Sequence, residues 1–253
     1  MKHIYCLLAL QLCLSWQLTA QASNKKERTE YHKEFSVGMG VVGRGFNTSF
    51  IYGLANKPYV TTLFNVDLLE LKSAKEKKQN LQNGGGGRNS NGSILYGKQN
   101  NFYLMRVGWG RKHYISEKSN DQSITLALSY QAGLSSGFLK PYYLKLAYFN
   151  PSGSVDVRTE AYTDENEYLF LDPSVIRGKG GFGMGWDDLK ILPGFFTKAS
   201  VWVDFGADQS FLTALELGVN VDYFPRRVPI MVLTENSPVF INISANFYMG
   251  GRW

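Results

Sequence analysis

The chain has 253 residues, 44% of them apolar, and a formal net charge of +6. No stretch approaches the roughly 18 consecutive apolar residues of a spanning helix, which excludes a helical membrane protein. The charge surplus is mild and no dense basic block accompanies it, so nucleic-acid binding has no support beyond the pI.

Residues 1–22 read as an export signal. Lys2 and His3 give a basic start, Ile4 to Trp16 is mostly apolar, and Ala20-Gln-Ala22 fits the small-x-small cleavage rule. Gln11-Leu12 before Cys13 argues against a lipoprotein. Both cysteines, Cys6 and Cys13, lie in this segment, so a processed chain has no thiol, disulfide or cysteine metal site. Loss of Lys2 leaves 26 basic against 21 acidic residues, a net of +5. Residues 23–33 are polar and charged, a periplasmic lead. Residues 34–253 read as one domain.

That domain is a succession of two-faced strands. Phe35, Val37, Met39 and Val41 alternate with small residues, and Gly43-Arg-Gly45 turns the chain. Thr48 to Leu54 and Val60 to Leu68 follow, with a turn at Asn56-Lys-Pro58. Asn65 and Asp67 face away from the apolar side. Lys72 to Gln99 breaks the pattern with lysines and a glycine run, and reads as a long mobile loop. Tyr103 to Trp109 resumes the wall with Arg106 on its other face. Ser116 to Gln122 turns, Ile124 to Tyr130 alternates cleanly, Ser135 to Lys140 turns, and Tyr142 to Tyr148 returns with Lys145 facing inward. Val155 to Ala161 is one more possible strand. Gly178, Gly180 and Gly183 match a dinucleotide-binding glycine spacing, but no strand-helix unit flanks them, and a folded loop is the better reading. Asp187-Asp188 would start a helical turn running to Ile191 and ended by Pro193.

The last fifty-six residues carry the strongest signal. From Phe211 to Tyr223, odd positions are mostly apolar and even positions small or polar, a period of two held over thirteen residues. Ala199 to Phe205 and Ile241 to Met249 repeat it, and Trp253 ends the chain on the apolar parity. Strands of this length with one oily and one wet face need an apolar medium outside and a polar one inside. A bilayer-spanning barrel supplies both. A soluble sandwich or lipocalin-like barrel also alternates, but its strands average about 5–6 residues. The expected fold is therefore all-β, an antiparallel transmembrane β-barrel of about ten strands, eight being the fallback, with long extracellular loops. The fallback merges the first two strands and makes 153–162 loop.

The export signal, the two-faced strands and the aromatic chain end resemble the outer-membrane β-barrel proteins of Gram-negative bacteria. Tyr96-Gly-Lys-Gln-Asn100, Lys140-Pro-Tyr-Tyr143 and the Gly-Gly-Arg-Trp253 ending look like small Bacteroidetes-type barrels, a group without an assigned function. The resemblance implies the cell outer membrane as location, its lipid as surroundings, and recognition of the last strand by the barrel-assembly machinery. Phe247, Met249 and Trp253 hold the places of that assembly signal.

Parity sends Arg106, Lys145, Lys198, Asp204, Glu216 and Asp222 to the lumen. Buried charges need partners, and pairing across the lumen would plug it. A barrel of this size is narrow enough for side chains to fill, whereas porin channels need about 16–18 strands. Two histidines follow the signal, His32 and His113, with no metal-ligand spacing. His113-Tyr-Ile-Ser116, with Glu117, invites comparison with outer-membrane lipid hydrolases, yet residues three apart on a strand point to opposite faces. Tyr142, Tyr148, Phe205, Tyr223 and Trp253 read as interface girdles. No catalytic, cofactor or metal site is expected. The leading expectation is a non-enzymatic structural or accessory barrel that meets other envelope proteins through its long loops. A narrow channel for small solutes is the alternative, and a lipid-modifying hydrolase the third reading.

Overall fold

The computed structural model describes residues 31–57, 59–73, 75–80, 93–115, 124–151, 153–206 and 210–253. The signal segment, and the lead up to residue 30, lie outside the described residues. In chain order the strands are β1 (Lys33–Val42), β2 (Gly45–Lys57), β3 (Val60–Leu71), β4 (Lys78–Asn80), β5 (Ser93–Leu95), β6 (Asn100–Tyr114), β7 (Thr125–Pro141), β8 (Tyr143–Phe149), β9 (Val155–Ala161), β10 (Ile176–Lys179), β11 (Lys190–Asp204), β12 (Phe211–Tyr223) and β13 (Val239–Arg252). One short helix, α1 (Glu167–Phe170), stands between β9 and β10.

Eight of these strands close a barrel in the order β1-β13-β12-β11-β7-β6-β3-β2, and every pair is antiparallel. Closure leaves the barrel sheet without a free edge. The ten-strand count is thus corrected to eight, and by a different route from the fallback. The first two strands stay separate around a tight turn at Gly43, whose φ of +56° suits glycine. The difference lies at Ser135 to Lys140, which is not a turn. β7 runs straight through it, because both neighbours reach far enough to pair there: Leu139 faces Phe102 of β6 and Lys190 of β11. Gly137 is needed in this stretch, since a Cβ there would lie 2.6 Å from the Phe102 ring. β8 then leaves the wall and pairs with β9 and β10 in a separate three-stranded sheet.

β11 begins earlier than expected. Asp187 and Asp188 lie in a turn, not in a helical start, and Ile191 to Pro193 are already strand. Proline fits because pairing with β12 begins only at Phe195, so Pro193 has one strand neighbour and its missing N–H interrupts one ladder at most.

Both ends of the barrel domain meet at one rim, where Glu34 pairs with Arg252. The connections β3 to β6, β7 to β11 and β12 to β13 all emerge at the far end. They are tied to one another: Val232 N–H donates to Gly97 O at 2.8 Å, Asn100 Nδ2 to Pro229 O at 2.7 Å and Tyr96 OH to Leu171 O at 2.7 Å. Ile94, Leu144, Leu146, Phe170 and Ile176 form a small apolar core there, with Tyr142 and Tyr148 packed against it. These two tyrosines therefore belong to the far-end head and not to a girdle. The 72–99 segment is also more ordered at its ends than its composition suggested: β4 pairs with β5, and the buried Lys98 ammonium meets Glu76 at 3.1 Å. Residues 81–92 lie outside the described residues.

The barrel's outer wall is apolar over its whole circumference. Met39, Phe64, Leu68, Val107, Leu134, Val201, Leu217, Val219 and Ile243 are all exposed on it. Aromatics stand at two levels, Phe35, Phe205 and Phe211 toward the termini and Phe46, Phe195 and Tyr223 toward the far end. Every barrel strand has 10 or more residues, matching the roughly 9–11 that a tilted strand needs to cross a bilayer.

Candidate functional site

The inward-facing residues are the counterpart of this wall. Period-two alternation puts small and polar side chains inside, and closure of the sheet then removes them from water. Three groups of charges result.

At the termini rim, Glu34 accepts from Lys112 Nζ and from Arg252 Nε at 3.5 Å, and Arg252 Nη2 donates to Asp204 at 2.5 Å. The Lys112 ammonium lies 4.9 Å from the Trp202 ring centre. In the middle, Glu216 is completely buried and accepts four bonds, from Lys198 Nζ and Ser200 Oγ at 2.7 Å and from Asn246 Nδ2 and Tyr248 OH at 3.0 Å. Lys198 and Glu216 stand on adjacent strands, β11 and β12, where Glu216 is opposite Trp202 and Lys198, four residues along the same inner face, reaches back to it. Higher up, Arg106 reaches across the lumen from β6 to β12. Its Nε and Nη2 donate to the two oxygens of Asp222 at 2.8 and 2.6 Å, and its guanidinium packs 5.4 Å from the Phe196 ring centre. This bidentate pair is a geometry that arginine supplies and lysine cannot.

Above the charges the lumen becomes apolar. Val42, Leu69, Leu71, Phe102, Leu104, Leu139, Phe224, Val228, Ile230 and Met231 pack together, with the β12–β13 connection folded into the barrel mouth. Phe224 meets Phe102 edge-on at 5.3 Å. Ile230→Val, at 3% exposure in this plug, is expected to cost about 0.5–1.5 kcal/mol in a urea-unfolding titration, the ordinary effect of removing one buried methyl.

Of the six charges assigned to the lumen by parity, Arg106, Lys198, Asp204, Glu216 and Asp222 lie buried inside the barrel. Lys145 does not. It is exposed on β8, where its alternation with Leu144 and Leu146 refers to the small outer sheet and not to the barrel wall. Asp67, on the face that its strand's alternation turns away from the apolar side, lies inside with them, and so do Glu34, Lys112 and Arg252, which are not among the six although they follow the same parity. Phe247, Met249 and Trp253 are exposed at the β13 end of the wall. His113 points outward and stacks on Tyr130 at 5.7 Å; Ser116 and Glu117 lie outside the described residues. No group of three or more His, Cys, Asp or Glu side chains with metal-binding geometry occurs among the described residues.

The far-end head carries an open cleft of about 560 Å³, lined by residues that include Tyr143, Tyr148, Glu160, Asn166 and Tyr168. Tyr148 OH donates to Glu160 at 2.7 Å. That bond, with some burial and the nearby carboxylate charge, raises the Tyr148 pKa from 10.0 to about 12. Because the folded pKa is the higher one, the contribution of this phenol to stability is complete below about pH 10 and is lost as the pH rises toward 12. In an alkaline titration of phenolate absorbance, Glu160→Gln should move one late-ionising tyrosine back to lower pH.

No family model matches the chain, and none of the curated proteins does. Among solved structures the chain is similar to Neisserial surface protein A, with 8% identity over 87% of this chain and 94% of that one and a TM-score of 0.38. It is also similar to the N-terminal β-barrel domain of Pseudomonas aeruginosa OprF, with 8% identity, 87% and 96% coverage and a TM-score of 0.38. Ail, the attachment invasion locus protein of Yersinia pestis, gives 8% identity, 89% and 100% coverage and a TM-score of 0.40. All three are outer-membrane β-barrel proteins of Gram-negative bacteria.

Proposed function

We propose that this chain is exported by its N-terminal signal and resides in the outer membrane as a non-enzymatic barrel, structural or accessory to other envelope proteins. The observation that carries this reading is the continuous apolar wall around a charged, closed interior. In water such a wall would be an aggregation surface far larger than the few hundred Å² a soluble monomer exposes. In lipid it is the required outer face. With the termini in the periplasm, the head formed by the long connections stands outside, available for contact. The exposed Phe247, Met249 and Trp253 on the last strand suit recognition by the assembly machinery.

The closed interior favours this role over a channel. Ion pairs fill the middle of the lumen and the Phe102–Phe224 plug covers it. A lipid hydrolase is the weaker reading, because His113 faces outward and stacks on Tyr130. Membrane fractionation with heat-modifiable gel migration, and protease treatment of intact cells, test barrel, location and orientation together. A chain recovered dissolved and monomeric without detergent refutes the assignment. Purified protein in a planar bilayer should show no steady current; ohmic steps altered by Asp222→Asn would establish the channel instead.

A further inference from the structure

The interior charges do not balance. Among the described residues the lumen holds five buried carboxylates, Glu34, Asp67, Asp204, Glu216 and Asp222, against four buried cations, Arg106, Lys112, Lys198 and Arg252. Four of the carboxylates have a cation within ion-pair distance. Asp67 is the fifth. It is 1% exposed and neither of its oxygens has a hydrogen-bond partner. Its cross-strand neighbour on β6 is Arg106, but that guanidinium turns its fork to Asp222 and Asn220, so one cation faces two carboxylates.

The side chains around Asp67 are short of partners too. Asn65, two residues along the same face of β3, is 2% exposed with neither amide atom bonded. On β2, Ser49 stands directly opposite Asp67, and Asn47 is one rung away on the same face. Asn47 gives its Nδ2 to Ser49 Oγ at 3.0 Å and to Asn246 Oδ1 at 3.1 Å, which leaves its own Oδ1 unbonded. Gly108, opposite Asn65, keeps this part of the interior open: a Cβ there would stand 2.6 Å from Asn65 Oδ1 and 2.5 Å from the Phe196 ring.

We infer that Asp67, with the amide oxygens of Asn65 and Asn47, holds a monovalent inorganic cation of the sodium or potassium kind inside the barrel. An uncompensated buried carboxylate is strongly unfavourable. The donors on offer are all hard oxygens, the ligand type of alkali and alkaline-earth ions and not of soft metals. The excess is a single negative charge, which one monovalent ion neutralises and a divalent ion would overshoot.

The test is thermal unfolding of the detergent-held barrel at constant ionic strength, in sodium or potassium chloride and in tetramethylammonium chloride, whose cation is too large for the site. The small ions should raise the unfolding temperature of the wild type by at least about 2 °C, since a ligand bound only to the native state stabilises it. Asp67→Asn, which keeps the shape and removes the charge, should abolish the difference. If that variant does not fold, sodium NMR of the wild type decides: the folded barrel should broaden the sodium resonance and the denatured chain should not. A wild type indifferent to cation identity overturns the inference, as does an equal response in Asp67→Asn. A midpoint that ignores sodium but falls with rising pH, in the wild type and not in Asp67→Asn, also overturns it and puts a proton on Asp67.

Discussion

Replacing Glu216 by Ala is expected to lower the stability of the folded barrel by about 3–5 kcal/mol, the usual effect of leaving one member of a buried ion pair alone. Glu216 has no exposed surface and gathers Lys198, Ser200, Asn246 and Tyr248. Its removal strands the Lys198 ammonium, itself 3% exposed, in a space with no other carboxylate among its ion-pair partners. Adding Lys198→Met should recover part of the loss, because it removes the stranded charge, while Ser200, Asn246 and Tyr248 still lack the carboxylate they donate to. Urea-unfolding midpoints of the single and double variants measure this. A single variant within about 0.5 kcal/mol of wild type would mean that the mid-lumen network does not hold the strands together.

The second large effect concerns the opposite face of the same strand. Leu217 follows Glu216 on β12 and is 49% exposed on the outer wall. Leu217→Arg should cost about 2–4 kcal/mol in lipid vesicles, the range for a cation at the midplane of a barrel's lipid face. On a water-facing wall the same change at a half-exposed site should stay within about 0.5 kcal/mol. The two adjacent substitutions therefore probe one physical arrangement from both sides. Glu216 tests whether the interior is dry and paired, and Leu217 whether the exterior is oily.

Much of this was legible in the order of residues. Period-two alternation is a local property, because successive side chains on an extended backbone point to opposite sides. Phe211 to Tyr223 therefore announced its two faces without reference to anything else, and five of the six charges proposed for the interior are buried there. Asp67, which alternation also turns away from the apolar side of its strand, is buried with them, and Lys112 follows by the same parity. Lys145 shows where that reasoning stops. It does alternate with Leu144 and Leu146, but parity is defined relative to a strand's own sheet, and that sheet is not the barrel wall.

Alternation by itself thus determined that the chain forms strands, and which side chains share a face. Only the tertiary structure decided how many strands close the barrel and which charges meet. Pairing is a long-range choice set by how far neighbouring strands extend: β7 passes through Ser135 to Lys140 because β6 and β11 offer it ladder partners there. Arg106 finds Asp222 across the lumen because closure brings β6 opposite β12, 116 residues apart in the chain. Closure also left one carboxylate, Asp67, without a cation of its own, because the guanidinium beside it has a better-aligned partner on the far wall.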